Sequence, residues 1–209
     1  MQHNDSKMDD SFINIDQGRY ALNEAATDRN YQSIMARAPW LENLWEDLQR
    51  VILMNASARS KYPKMVAIAD RIASAVSPSA VCRSGCSSCC HISVVINQIE
   101  ADRIAAASGK PLKAAVSDIT SSPMKIGQVA DAHFGVACPF LVDGLCSIYE
   151  HRPLSCRLHF NIGADSFFCD TRISPEKSVV PNINLERYWI AHAMIFNKEC
   201  HADIRDFFD

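Results

Sequence analysis

The feature that most constrains this chain is its nine cysteines in 209 residues, eight of which fall into two short groups. A reducing compartment keeps thiols reduced, and an odd number of cysteines cannot all pair, so both facts disfavour a disulfide framework. Metal binding is the usual alternative for clustered cysteines. We therefore expect thiolate-bound metal to hold the cysteine-bearing part of the chain.

Composition and charge are those of an ordinary globular protein. Hydrophobic residues make up 48% of the chain and charged residues 22%, and the length fits one domain of common size. The formal net charge of -3 argues against electrostatic binding of nucleic acid. The apolar runs are far shorter than the roughly 20 residues that cross a bilayer, and the start, MQHNDSKMDD, lacks a signal-peptide pattern. We predict a cytoplasmic protein that binds neither nucleic acid nor membrane.

The chain is predicted to have three parts. Residues 1–30 are polar and acidic, and we predict a flexible tail there. Residues 31–80 are predicted to be a helical segment with amphipathic helices over about 39–52 and 62–76, the second ending at a Ser-Pro-Ser sequence. Residues 81–209 are predicted to form a cysteine-cluster domain with a C-terminal helix.

The middle of this domain carries signals for one strand and two helices. Residues 92–96 are mostly β-branched and predict a strand. Asn97 and Glu100 have the spacing of a capping box, so a helix is predicted to start there and to end at Gly109. The proline that follows suits another helical turn over 111–119.

The later part of the domain carries a hairpin signal and a last helix. Asp143 and Gly144 predict a two-residue turn within a hairpin over about 140–148. Helical spacing of apolar residues predicts a helix from about Asn184 to Cys200. The predicted fold class is α+β and mainly helical, with a loop-rich metal-centred core and a short β-hairpin, packed by N- and C-terminal helices.

The first group of cysteines lies in the segment CRSGCSSCC. Its members are Cys82, Cys86, Cys89 and Cys90. Such short spacings let the chain turn once, direct two sulfurs at one metal and donate backbone N–H groups to the thiolates. Adjacent residues of an extended chain point to opposite sides, so Cys89 and Cys90 are awkward ligands of the same ion. One of them is expected to serve a second site or only to pack.

The second group lies in CPFLVDGLCSIYEHRPLSCR and in the later FFCD. Its members are Cys138, Cys146, Cys156 and Cys169. Eight thiols in two sets can close two tetrahedral four-cysteine sites, or hold one four-cysteine iron-sulfur cluster with four spare thiols. A two-residue turn pairs Leu141 with Cys146 and places Cys138 on the opposite face. Either Pro139 breaks that register or these two cysteines serve different sites.

Three arginines stand close to the cysteines in sequence. Four thiolates give a bound zinc ion or [4Fe-4S]2+ cluster a net negative charge. Arg83, Arg152 and Arg157 are placed to offset that charge. Surface exposure is the alternative for each of them, above all for Arg83.

Two histidines and the ninth cysteine need a separate assignment. His91 directly follows the first group and His159 follows Cys156 by three residues, so either can replace a cysteine as a ligand. A place beside the ligands or at the surface is the favoured alternative. Cys200 lies on the apolar stripe of the last predicted helix, and we predict a core residue.

The two motifs also carry a resemblance to a known family. The sequences CRSGCSSCCHISVVINQIEADRIA and CPFLVDGLCSIYEHRPLSCR, in this order, resemble the YkgJ-type cysteine-cluster family, the CxxCxxCC putative zinc- or iron-chelating domain. The resemblance covers about residues 80–170 and implies that the motif cysteines chelate zinc or an iron-sulfur cluster, a [4Fe-4S] cluster if the metal is iron. The family includes flagellin lysine N-methylases, in which this domain is part of a larger protein. The matching positions are Cys82, Cys86, Cys89, Cys90, Cys138, Cys146, Cys156 and Cys169.

Three functions remain open from the sequence. The first is a metal-binding protein whose zinc or iron-sulfur centre is at least structural. The second is an iron-sulfur-dependent redox or methyl-transfer enzyme, as the resemblance to the flagellin methylases implies. The third is a metal-handling or interaction module without catalysis, which would have a protein as a further partner.

Overall fold

Residues 13–120 and 123–209 are described by a computed structural model, and they contain eight α-helices and four short strands. The helices are α1 (Gln17–Arg37), α2 (Leu44–Leu53), α3 (Ala58–Val76), α4 (Gln98–Ser108), α5 (Pro123–His133), α6 (Leu154–Arg157), α7 (Glu186–Phe196) and α8 (Ile204–Phe207). The strands are β1 (Val95–Asn97), β2 (Leu141–Val142), β3 (Leu145–Cys146) and β4 (His201–Asp203). The predicted fold class, mainly helical α+β, is confirmed. None of the described helices is long and apolar enough to cross a membrane.

A first set of buried residues, the helical core, lies among α2, α3 and α7. Leu48, Ile72 and Phe196 are fully buried there, and the Tyr188 hydroxyl donates a hydrogen bond of 2.9 Å to the Met65 carbonyl. The two helices predicted before the cysteines are thus present. The first begins as a 3₁₀ turn before α2, and the second starts one turn earlier than its apolar stripe indicates because a serine caps it.

A second set, the cysteine-side core, is smaller and lies around β1 and β4. Its members are Val94, Ile96, Ala101, Ile104, Phe140, Ile148, Ala202, Ile204, Phe207 and Phe208. Four partly buried cysteines pack against it, namely Cys138, Cys146, Cys156 and Cys200. The sulfur-bearing side chains therefore form part of the wall of this core.

The hairpin formed by β2 and β3 has the predicted register. Leu141 pairs with Cys146, and the turn residues Asp143 and Gly144 have φ angles of 50° and 76°. Cys138 lies before the paired residues, and its carbonyl accepts a hydrogen bond of 3.0 Å from the Leu141 N–H. A turn at Pro139 therefore separates Cys138 from the strand register.

The last long helix ends before the predicted residue, and a short strand follows it. The last long helix ends at Phe196, so the prediction that it reaches Cys200 is wrong. Residues 201–203 instead form β4, which pairs antiparallel with β1, and the Gln98 N–H donates 2.9 Å to the Cys200 carbonyl. The strand β4 forms because it pairs with β1, about 100 residues earlier, and the periodicity of the local sequence does not reveal such a distant partner. Cys200 still packs against the cysteine-side core.

The N-terminal helix also departs from the prediction. The polar composition of residues 1–30 predicts a flexible tail, which is wrong for residues 17–30 because they belong to α1. Residues 1–12 lie outside the described part of the chain. Asn23 and Asn30 donate side-chain hydrogen bonds of 3.0 and 2.9 Å to backbone carbonyls of the C-terminal half. Because polar side chains hold this helix in place, its sequence shows only a weak apolar stripe, which is the signal from which a helix is predicted.

Between α4 and the hairpin the predicted and observed helices differ. Asn97 and Glu100 form the predicted capping box of α4, and Gly109 ends that helix with a φ of 73°. Residues 111–119 are not helical, so that prediction is wrong. This segment is held by contacts with the C-terminal residues, including a hydrogen bond of 2.9 Å from the Ile119 N–H to the His201 carbonyl. The helix α5 that follows was not predicted.

Candidate metal centre

The first cysteine motif folds into two tight turns. Gly85, at a φ of 83°, lets the chain reverse between the first two cysteines, and the Cys86 N–H donates 3.0 Å to the Arg83 carbonyl. Cys89 and Cys90 then lie in a 3₁₀ turn. Successive side chains of such a turn diverge by about a third of a revolution. The two adjacent thiols accordingly have different neighbours.

Four thiols, the outer group, gather around the exposed end of this motif. The outer group consists of Cys82, Cys86, Cys89 and Cys169. Burial raises the pKa of the Cys169 thiol, and electrostatic repulsion from the other three thiols raises it further. Cys82 and Cys86 are exposed. All four line one cleft with a volume of about 320 Å³, which has a largely apolar wall and also contains His159.

Asn161, which the sequence did not single out, organises the outer group. Its side chain is 1% exposed, and its Nδ2 donates 3.1 Å to the Cys169 Sγ. Its backbone carbonyl accepts a hydrogen bond of 2.8 Å from the Val81 N–H, next to Cys82. One buried asparagine therefore connects the first motif to the last clustered cysteine. Nothing in local sequence distinguishes it from a surface asparagine.

Gly163 gives a direct test of how α1 and Asn161 fit together. A Cβ at this position would collide with the Oδ1 of Asn23 in α1 and press on the Oδ1 of Asn161. We expect Gly163→Ala to lower the free energy of unfolding by about 1–3 kcal/mol, as overpacking does. Urea denaturation would measure it. Gly127→Ala in α5 is the matched control because, apart from its chain neighbours and the backbone of its own helix, no atom of the described residues lies within 4 Å of the added carbon. An equal effect of both changes would contradict the predicted contact.

The other four thiols, the inner group, gather on the cysteine-side core. The inner group consists of Cys90, Cys138, Cys146 and Cys156. A hydrogen bond donated by Cys89 lowers the pKa of Cys90, against burial and repulsion from the other three inner thiols. Burial raises the pKa of Cys156 well above its ordinary value, with further repulsion from neighbouring thiols that include Cys89. Cys89 thus lies at the boundary of the two groups.

Backbone hydrogen bonds join the two motifs at the inner group. The Cys138 N–H donates 2.7 Å to the Cys90 carbonyl, and the Gly135 N–H donates 2.7 Å to the His91 carbonyl. These bonds place the start of the second motif beside the end of the first. Cys156 reaches the same place on α6, whose first N–H, that of Leu154, donates 2.8 Å to a carboxylate oxygen of the buried Glu100.

The three sequence-selected arginines have different surroundings. Arg83 bonds to backbone carbonyls, including that of Cys82 at 2.8 Å. Arg157 forms an ion pair of 2.6 Å with Asp70. The hydrogen bond from Cys89 to Cys90 and burial raise the pKa of Cys89, and the positive charge of Arg152 opposes this shift. The Nε of Arg152 is buried without a hydrogen-bond partner in the described structure.

The two histidines are placed beside different groups. The His91 Nδ1 lies 3.1 Å from the Ser87 carbonyl, so a local backbone contact orients its ring. His159 lines the cleft of the outer group, and burial lowers its pKa. A neutral imidazole is the form that binds metal. The structure thus brings His159, rather than His91, to a set of thiols.

The thiols form two clusters, but neither cluster has the geometry of a complete coordination sphere. Within residues 13–120 and 123–209, no three cysteine, histidine or acidic side chains already converge as closely as one metal ion requires. The donor chemistry of each cluster is nevertheless that of four soft thiols, the set that zinc and iron-sulfur clusters use. The residues present therefore fit such a group by type and number.

Comparison with known protein families gives one match. Residues 81–178 match the model of the family described as CxxCxxCC, putative zinc- or iron-chelating domain. All eight thiols of the outer and inner groups lie within this segment, while Cys200 lies beyond it. Searches of curated proteins and of solved structures found no match. The resemblance that the two motifs carry is thereby confirmed: the segment that bears both cysteine groups matches the model of the CxxCxxCC family, whose description is a putative zinc- or iron-chelating domain.

Proposed function

We propose that this chain binds metal at two four-thiolate centres, one at the outer group and one at the inner group. The observation that carries the proposal is the placement of the thiols: the four outer ones line one cleft, whereas three inner ones pack against the cysteine-side core, where the Cys138 N–H bonds to the Cys90 carbonyl. In this assignment the adjacent Cys89 and Cys90 serve different centres, and the second motif contributes Cys169 to one centre and its other three cysteines to the other. The inner centre has a structural role, since its ligands come from three separate segments of one small core.

Two polar groups support bound thiolates at or near the outer centre. The buried Nε of Arg152 lacks a partner, and the charge of this side chain already acts on Cys89. The Asn161 amide donates to the Cys169 sulfur. Donors of this kind stabilise thiolates that a metal holds in the deprotonated state. When bound, the metal would supply a fixed tetrahedral anchor or, as an iron-sulfur cluster, a redox centre.

The volume of the cleft at the outer group favours a [4Fe-4S] cluster over a single zinc ion there. A single zinc ion lies about 2.3 Å from each of its sulfurs and needs little room. The cleft beside these four thiols has a volume of about 320 Å³. If the metal is iron, we therefore place a [4Fe-4S] cluster at the outer group.

The exposure of Cys82 and Cys86 favours a second candidate function, metal handling. Ligands open to solvent can be approached by a competing thiol or chelator, whereas the inner ligands pack against a core. In this alternative the outer centre would exchange its metal with a partner, and the inner centre would keep its own. A faster loss of outer than of inner metal to a chelator would favour it.

Metal analysis of single cysteine variants tests the two-centre proposal. Protein purified without oxygen is expected to contain either two zinc ions per chain and no colour, or iron and sulfide with a broad absorbance near roughly 400 nm. Cys86→Ala is expected to remove the outer metal and keep the inner one, and Cys146→Ala to do the reverse. Elemental analysis with the visible spectrum measures both.

Cys200→Ala is the matched control, because this thiol packs against the same core and belongs to neither group. It is expected to retain all metal. Folded wild-type protein without any metal would refute the proposal. Loss of all metal from both Cys86→Ala and Cys146→Ala, with the chain still folded, would instead assign the eight thiols to one centre.

A further inference from the structure

A buried arginine near the C-terminus holds the two cysteine motifs together at the inner group. Arg205 lies in α8, outside the segment that matches the family, and its side chain is 7% exposed. Its Nη2 donates 2.9 Å to the Cys90 carbonyl and 2.7 Å to the Val136 carbonyl, and its Nε donates 3.1 Å to the latter. One guanidinium therefore binds the backbone of the first motif at Cys90 and the backbone two residues before the second motif begins at Cys138.

The position of Arg205 is itself fixed by a buried acid. Its Nη1 donates 2.9 Å to the Oδ1 of Asp203, a side chain with no exposure. The other carboxylate oxygen of Asp203 accepts hydrogen bonds from the Ser93 hydroxyl at 2.8 Å and from the Val94 N–H at 2.6 Å. The pair is thus fully hydrogen-bonded and anchored to the chain just after the first motif, as a stable buried ion pair requires.

The carbonyl of Cys90 is the point at which these contacts meet. It accepts a hydrogen bond from the Cys138 N–H as well as one from the Arg205 guanidinium, so the same oxygen connects two of the four inner cysteines with the arginine. Burial raises the pKa of Cys138; the positive charge of Arg205 opposes this shift, and the negative charge of Asp203 adds to it.

From these contacts we infer that Arg205, held by Asp203, is the positioning residue of the inner metal centre. It sets the spacing of Cys90 and Cys138 by binding the Cys90 carbonyl, which also accepts the Cys138 N–H. This inference rests on the proposed inner centre and adds to it a residue from outside the matched family segment. The C-terminal residues would then complete the centre rather than only pack beside it.

Cobalt(II) titration of the full chain tests this role one centre at a time. Cys86→Ala leaves only the inner centre, and Cys146→Ala leaves only the outer one. In the Cys86→Ala background, Arg205→Met is expected to weaken Co2+ binding by roughly 10- to 100-fold, as loss of a group that orients ligands does. In the Cys146→Ala background the affinity should not change. Arg205→Lys keeps the charge but loses the fork of donors, so its Co2+ affinity is expected to lie between that of the Cys86→Ala protein and that of its Arg205→Met variant.

Two further variants control for folding and for charge. If Arg205→Met leaves Asp203 unpaired and the chain unfolds, the double change Arg205→Met with Asp203→Asn removes that charge, and the same loss at the inner centre alone is expected. Arg172→Met removes an exposed arginine beside Asp170, close to the outer group, and should alter neither centre.

Different outcomes test the role of Arg205 and the existence of the inner metal centre. Unchanged inner affinity, or an equal loss in both cysteine backgrounds, would overturn the role of Arg205 and leave the two centres standing. Failure of the Cys86→Ala protein to bind Co2+ at all, before any change at Arg205, would overturn the inner centre and the inference with it.

Discussion

Removing the metal with a chelator is expected to unfold the cysteine-side core and leave the helical core folded. The cysteine-side core has strands of only two or three residues, and four of its packing side chains are cysteines. A structural zinc ion contributes about 10–16 kcal/mol to the folding of small metal domains, which equals or exceeds the total stability of about 5–15 kcal/mol of most proteins. The helical core contains no cysteine.

Hydrogen exchange measures this difference directly. After chelation, the amides of Ile96 and Ala202 in the β1 and β4 pair should lose protection, while those of Met65 and Ile72 in α3 should keep it. The far-UV circular dichroism should retain most of its helical signal, because α2, α3 and α7 belong to the helical core. Unchanged protection of both cores would contradict a structural role for the metal. Re-addition of metal should restore the lost protection and serves as the control for irreversible damage.

Elements that depend on local chemistry could be predicted from the sequence. The capping box of Asn97 and Glu100 places the start of α4, and the Asp143-Gly144 turn fixes the pairing of Leu141 with Cys146. In both cases the residues that determine the structure lie within a few positions of one another. The fold class and the match to a family model could be predicted for the same reason, since the cysteine motifs and the helical stripes are local patterns.

Elements that depend on distant polar contacts could not be predicted. The helix α1 is held by asparagine side chains that bond to carbonyls more than 100 residues away, so its sequence lacks an apolar stripe. The strand β4 forms only because β1 offers it a partner. Asn161 bonds to the Cys169 sulfur, and Arg205 bonds to backbone carbonyls. Contacts of this kind require no regular spacing of residues, so the sequence does not predict them. The division of the thiols into two groups likewise depends on how α6 and the C-terminal residues return to the first motif.

Replacing Glu100 by alanine is expected to lower the free energy of unfolding by about 2–6 kcal/mol. This carboxylate is 1% exposed, and its two oxygens accept the Asn97 N–H at 3.1 Å and the Leu154 N–H at 2.8 Å. Alanine leaves both buried N–H groups without a partner, and each such loss costs about 1–3 kcal/mol. Because Leu154 begins the helix that carries Cys156, the change should also weaken the inner centre. Urea denaturation at pH 6 measures the stability, and elemental analysis measures the metal.

The pH dependence of stability identifies the carboxylate as the cause. Burial raises the pKa of Glu100 from 4.5 to about 7, although the two N–H bonds and Arg157 oppose this shift. The folded chain therefore holds this proton more tightly than the unfolded chain. The resulting stabilisation is fully present below about pH 4.5 and is lost as the pH rises through about 7. Wild-type protein should thus lose about 1 kcal/mol more stability than Glu100→Gln between pH 6 and pH 8.

Glu100→Gln is the right comparison because it stays neutral at every pH and keeps a carbonyl oxygen that can accept one of the two N–H groups. Effects of pH on the thiols are common to both proteins and cancel in the difference between them. Parallel stability curves for wild type and Glu100→Gln would show that the carboxylate is already ionised in the folded chain at pH 6. The two N–H bonds would then outweigh its burial, and the cost of Glu100→Ala should move to the upper end of the expected range, because a charged acceptor forms the stronger hydrogen bonds.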